Sequence, residues 1–139
     1  MSFREKTSWI SLILTLLGFG SYFATLIYAE ITHSASHGYY IGYLIGVVFA
    51  ITIIFIVSTI VIAIMAPDDA NARLDERDRI IAYRAAYWPY FLIIVGTFSA
   101  MASIHLGGDL FWMMNGLLGV IVLAEIARYA SAIVLYRRN

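Results

Sequence analysis

"YYIGYLIGVVFAITIIFIVSTIVIAIMA", residues 39–66, runs for 28 positions without an Asp, Glu, Lys or Arg. A helix needs roughly 20 predominantly apolar residues to cross the hydrocarbon of a bilayer. Ile, Val, Phe and other apolar side chains surround this run, so it carries no polar face for water. It reads as a lipid-facing spanning helix. Three further runs, about 8–29, 83–104 and 110–136, are long and apolar enough to do the same. The expectation is an all-α integral membrane protein with four transmembrane helices in one domain over 1–139. Its connections fall at 30–38, 67–82 and 105–109.

Composition agrees. Of 139 residues, 62% are hydrophobic and 13% charged, and the mean hydropathy is +0.84. Soluble domains carry about 25% charged residues, and a water-soluble chain of this length lacks the volume to hide so much apolar surface. Cysteine is absent, which excludes disulfides and thiolate chemistry. The formal net charge is zero, so no overall charge draws the chain to nucleic acid. The opening "MSFREKTSWISLILTLLGFGSYFATLIYAE" starts basic and turns apolar, as a signal peptide does. Its apolar part is too long for one and no small-residue cleavage site follows, so it reads as a retained anchor.

Basic residues set the orientation. Arg4 and Lys6 precede the first span, Arg73, Arg77, Arg79 and Arg84 flank the long middle connection, and Arg137 and Arg138 follow the fourth. Four spans place all of these on one side, and the two opposite connections contain no Lys or Arg. Both termini are therefore expected in the cytosol of a bacterium, with the spans in its inner membrane. Trp9, Tyr87, Trp88 and Tyr136 suit the inner interface, and Tyr39, Tyr40, Phe111 and Trp112 the outer one. "LIGVVFAI" (44–51) echoes "LLGVIVLA" (117–124), and Gly18 and Gly96 sit alike in spans one and three. A duplicated two-helix hairpin would produce this echo; so would chance among Leu, Ile, Val and Gly.

Helices in lipid associate through close backbone approach and polar bonds. Gly18, Gly42, Gly46, Gly96, Gly116 and Gly119 mark candidate contacts, and Gly42 with Gly46 forms a G-x-x-x-G pair. Packing within the chain is the favoured use; a homo-oligomer is the other.

In "PDDANARLDERDRIIAYRAAYWPY" (67–90), Pro67 ends the second helix and Asp68, Asp69 or Asn71 can cap a new one. Asp69 with Arg73 and Asp75 with Arg79 are acid-then-base pairs four apart. A helix is expected to start in the cytosol and continue into span three, kinked at Pro89. Arg73, Asp75, Glu76, Arg77, Asp78, Arg79 and Arg84 make a candidate docking surface for a cytosolic regulator or a membrane partner. A solvated, self-paired helix start is the plainer reading.

Glu125 and Arg128 interrupt the fourth span. Counted from Leu110 at 1.5 Å per residue, Glu125 lies about 5 to 8 Å past the midplane. Arg128 is one turn closer to the headgroups and on the same face, so the two can pair. Tyr129, Ser131, Thr52 and Ser58 could add hydrogen bonds. The pair reads either as a clasp between helices or as a ligand site, since ionisable groups within the membrane are functional candidates by default. One carboxylate makes no proton path. On the outer side, Glu30, His33, His37, His105 and Asp109 offer imidazole and carboxylate ligands for zinc, copper or iron. A continued helix would place the first three along one stripe. Polar outer loops of ordinary composition are the plainer explanation, so no cofactor is expected, with metal as the exception.

Nucleotide-loop, zinc-protease and nucleophile-elbow motifs are absent, and no carboxylate pair is spaced for hydrolysis. "LDERDRIIAYRA" (74–85) with "NGLLGVIVLAEIARYASAIVLYRR" (115–138) resembles a family of small four-span bacterial inner-membrane proteins with a D-E-R-D-like turn before span three. Members are often encoded beside helix-turn-helix regulators, which implies a sensory or regulator-sequestering role and brings no catalytic residue. The expectation is a non-enzymatic regulatory, sensory or accessory membrane component. The alternatives are a metal- or small-molecule-binding membrane protein using the outer histidines, or an oligomeric transporter or channel.

Overall fold

A computed structural model describes residues 3–33, 37–68 and 75–138, all of it helices and short connections. The helices are α1 (Phe3–Thr32), α2 (His37–Met65), α3 (Glu76–His105) and α4 (Leu110–Arg138). They contain the four expected spans, apart from Ala66, which follows α2. Each is long and apolar enough to cross a membrane, and the candidate spans measure 30, 28, 30 and 29 residues. At 1.5 Å per residue that is about 42–45 Å, more than the roughly 30 Å of hydrocarbon.

The chain divides into two units, 1–72 and 73–139. In the first, α1 packs on α2. Beyond Glu5, which is also buried, the buried residues of α1, Ser11, Thr15, Tyr22, Leu26 and Ala29, recur three, four or seven apart and so lie along one stripe. Gly18 sits in that stripe. A Cβ added there would collide with the Ile51 side chain and lie 3.4 Å from Val47 Cγ1. The absence of a side chain at Gly18 lets branched residues of α2 lie against the α1 backbone, the contact that lipid-solvated helices need. No residue of α2 between 41 and 65 is buried, in keeping with its all-round apolar sequence. Pro67, which has no N–H to donate, follows the last α2 bond, Ala66 N–H to the Ile62 carbonyl at 3.0 Å.

In the second unit α3 packs on α4. Ile81, Ala85 and Pro89 are buried at steps of four. Further along α3, Cβ atoms built at Gly96 and at Gly116 of α4 reach across: the first falls 2.6 Å from both Val120 γ-carbons, the second 3.7 Å from Ala100 Cβ. Pro89 thus belongs to the helix–helix seam, and α3 runs unbroken through it. A tight C-terminal turn joins the two helices. Gly107 N–H donates to Ile104 O at 3.1 Å and Gly108 N–H to Ser103 O at 2.8 Å. This doubly bonded helix end needs a left-handed residue, which Gly107 supplies at φ 88°.

The glycines differ in a testable way. A Cβ at Gly42 or Gly46 meets nothing within 4 Å, so the G-x-x-x-G pair is not the contact that packs α2 on α1. Gly96→Ala should lower stability by about 1–3 kcal/mol, the usual cost of overpacking. Gly46→Ala should leave it unchanged or raise it by up to about 1 kcal/mol, as a helical alanine does. Thermal unfolding of the two variants in detergent checks the contrast.

Candidate functional site

Glu125 and Arg128 meet as their spacing requires. Arg128 donates to the same Glu125 oxygen, Oε2, from Nη2 at 2.6 Å and from Nε at 3.2 Å. The side chains remain 43% and 40% exposed for Arg128 and Glu125. The guanidinium also stands 4.5 Å from the centre of the Tyr129 ring, a cation–π distance. Thr52, considered as a further partner, instead donates to Val48 O of its own helix at 2.8 Å. The pair is therefore locally self-sufficient: a carboxylate compensated by the guanidinium one turn away, and that guanidinium set beside a ring. Charges matched in this way tolerate lipid at far smaller cost than either alone.

The charged start of α3 is organised differently from the expected ladder of ion pairs. Asp75 caps the helix, its Oδ1 accepting Glu76 N–H at 2.6 Å. Its carbonyl takes Arg79 N–H at 3.2 Å. The Asp75 carboxylate satisfies an otherwise unpaired backbone donor at the cap, and among the described residues it makes no ion pair with the Arg79 side chain. Asp69, Asn71 and Arg73 lie outside the described residues, and with them the Asp69–Arg73 pair. Arg77 and Asp78 reach α4: Arg77 Nη2 donates to Tyr136 O at 3.4 Å, and Tyr136 Oη donates to Asp78 Oδ1 at 3.1 Å. A cation on a C-terminal carbonyl and an anion in the first turn of α3 each complement a helix dipole. The interfacial anchor expected at Tyr136 is thus also half of a clasp. Glu76 and Arg79 stay exposed.

Beside that clasp lies a groove of about 570 Å³, lined by Tyr83, Arg84, Tyr87 and Trp88 of α3 and by Ala130, Ser131, Val134 and Leu135 of α4. Four residues of each helix contribute, so the groove follows the α3–α4 seam. Ser131, considered as a partner for Glu125, lines this groove instead. The sequence reading assigned Tyr87 and Trp88 to the interface and Arg84 to a docking surface, without joining them. Their spacing of three and four was the available signal.

The first unit holds an aromatic cluster that was not anticipated. Tyr22 and Tyr43 stack at 6.4 Å, Tyr43 and Tyr39 at 6.2 Å, and Tyr43 Oη bonds Ser21 Oγ at 3.2 Å. Tyr40, expected as an anchor at the outer interface, is 2% exposed. It meets Tyr39 edge-on at 6.0 Å.

The polar residues expected on the outer side do not lie on one continuous helix. α1 stops at Thr32, and His33 takes a left-handed backbone at φ 49°. Glu30 and His33 are exposed, as are His105 and Asp109. The His37 side chain lies outside the described residues. Among the described residues, no three His, Asp or Glu side chains form a metal-holding group.

No protein family, curated protein or solved structure matches the chain.

Removing one half of the Glu125–Arg128 pair leaves a charge in apolar surroundings; removing both does not. Arg128→Ala should therefore cost more stability than Glu125→Gln/Arg128→Ala, with a coupling of about 1–3 kcal/mol. Thermal melts across the double-mutant cycle in lipid nanodiscs read it directly, and additive losses would mean that the two side chains act independently.

Proposed function

We propose that this chain is a non-enzymatic protein of a bacterial inner membrane, a regulatory, sensory or accessory component that engages a partner protein through the start of α3. The observation that carries the reading is the way that start is held. Asp75 fixes the first turn, and Arg77 and Asp78 fasten it to Tyr136, while Glu76 and Arg79 point outward. A rigid, charged helix end loses little conformational freedom when a partner docks. The ionisable groups inside the spans support the non-catalytic half of the proposal, because Glu125 and Arg128 neutralise one another.

The orientation belongs to the same proposal. The Arg77–Tyr136 bond puts the basic start of α3 and the basic end of α4, with Arg137 and Arg138, at one end of their hairpin. Under the charge bias of cytoplasmic loops that end lies in the cytosol, and with an even number of spans so does the start of α1.

Duplication of a two-helix hairpin is also part of the reading, and one contact supports it. Aligning 44–51 with 117–124 pairs Val47 with Val120. In the first unit Val47 Cγ1 stands 3.4 Å from a Cβ built at Gly18, behind the closer Ile51, and in the second Val120 lies directly over Gly96. The two aligned valines thus each neighbour one of the paired glycines, although Ile51, which aligns with Ala124, is what fills the space at Gly18.

A photo-crosslinking amino acid at position 76 or 79 should trap one discrete membrane or cytosolic partner in living cells. Arg77→Ala combined with Tyr136→Phe, which unfastens the helix start, should weaken that adduct several-fold while the protein level holds. A smear of adducts equal to that from a lipid-facing position such as Ile53 would count against a docking role.

A further inference from the structure

We infer that the groove between α3 and α4 is a binding site for one anionic phospholipid, with the headgroup phosphate on Arg84 and an acyl chain along the seam. The walls give the first argument. Tyr83, Tyr87, Trp88, Ala130, Val134 and Leu135 are apolar or amphipathic, and Arg84 and Ser131 are the polar members. No carboxylate lines the groove, so nothing in it repels an anion or neutralises Arg84. Arg84 is exposed and makes no hydrogen bond or ion pair among the described residues, in contrast to Arg77 and Arg128, which are both engaged.

Depth gives the second argument. Arg84 is eight residues into α3, about 12 Å from its start, and Ser131 precedes the basic pair Arg137 and Arg138 by a similar distance along α4. The groove therefore sits where the charged ends give way to apolar helix. Trp and Tyr concentrate at that level of a bilayer, and basic pockets between spanning helices there receive anionic headgroups. An arginine guanidinium matches a phosphate through paired, fork-like donors, and Ser131 adds a hydroxyl on the opposite wall.

The groove's volume, about 570 Å³, is that of a small-molecule cleft. A cleft open along its length suits a chain lying in it. A soluble anion would gain from Arg84 but leave the aromatic wall unfilled. An uncharged lipid would fill the wall and gain less at Arg84. The anionic phospholipid does both.

The test uses the full chain in mixed micelles of phosphatidylcholine and phosphatidylglycerol, read by native mass spectrometry. The wild type should retain a single phosphatidylglycerol with an about fivefold preference over phosphatidylcholine, the advantage expected for one basic side chain near an anionic surface. Arg84→Gln should bring the two lipids to parity. Arg79→Gln, which removes an exposed charge outside the groove, should keep the preference. Ala130→Phe, which fills the groove from α4 and leaves every charge in place, should abolish retention of both lipids. Parity in the wild type, an unchanged preference in Arg84→Gln, or equal losses from Arg79→Gln and Arg84→Gln would overturn the assignment. So would undiminished retention in Ala130→Phe.

Discussion

Inside hydrocarbon a helix cannot exchange a backbone hydrogen bond for one to water, and apolar side chains gain nothing by leaving lipid for one another. What holds two such helices together is close contact between their backbones, and here that contact is made at two glycines. Gly18 admits Val47 and Ile51, and Gly96 admits Val120. Both contacts set β-branched side chains, stiff in a helix, against bare backbone, so that shape rather than solvent sets the register. The remaining features depend on that register. The Tyr22–Tyr43–Tyr39 stack needs α1 and α2 in step, as the Arg77–Tyr136–Asp78 clasp needs α3 and α4 in step.

Polar groups are used sparingly and close to where they arise. The hydroxyls of Thr52, Ser99 and Ser103 return to carbonyls of their own helices three or four residues back. Asn115, 8% exposed, bonds Phe111 O at 2.9 Å. Glu125 and Arg128 satisfy each other within one turn. Such local closure suits lipid, where a polar atom that waits for a distant partner stays costly until the partner arrives. Other bonds cross between helices: Tyr43 of α2 donates to Ser21 of α1, and at the basic end of the second hairpin Arg77 and Tyr136 join α3 to α4, beside a groove onto which the exposed Arg84 opens. That basic end combines cross-helix bonds, exposed charge and a groove, and both the docking surface and the lipid site are assigned to it.

Length and hydropathy made the four spans legible, because a run such as 39–66 has no competing explanation. The Glu125–Arg128 pair was legible too, since a spacing of three on one helix fixes proximity without any tertiary knowledge. The partners of Arg77 and Asp78 were not. Tyr136 lies 59 and 58 residues away along the chain, and only the α3–α4 register brings it near. The spacing of Asp75 and Arg79 suggested an ion pair, but the cap took the carboxylate, because a backbone N–H at a helix start is a nearer and more demanding partner than a flexible arginine. Gly42 and Gly46 show the limit of motif reading. Their spacing permits a close approach, and only the direction each glycine faces decides whether one occurs.

The central claim is that the start of α3 and the turn between α3 and α4 lie on opposite sides of a membrane. The chain has no cysteine, so single introduced thiols report without background. Leu106 is 88% exposed in that turn, and Arg79 is exposed at the other end of the same helix. A membrane-impermeant maleimide added to cells with a permeabilised outer membrane and an intact inner one should label Leu106→Cys at once, and Arg79→Cys only after the inner membrane is opened. Equal labelling of both before lysis, or labelling of Arg79→Cys alone, would contradict the account.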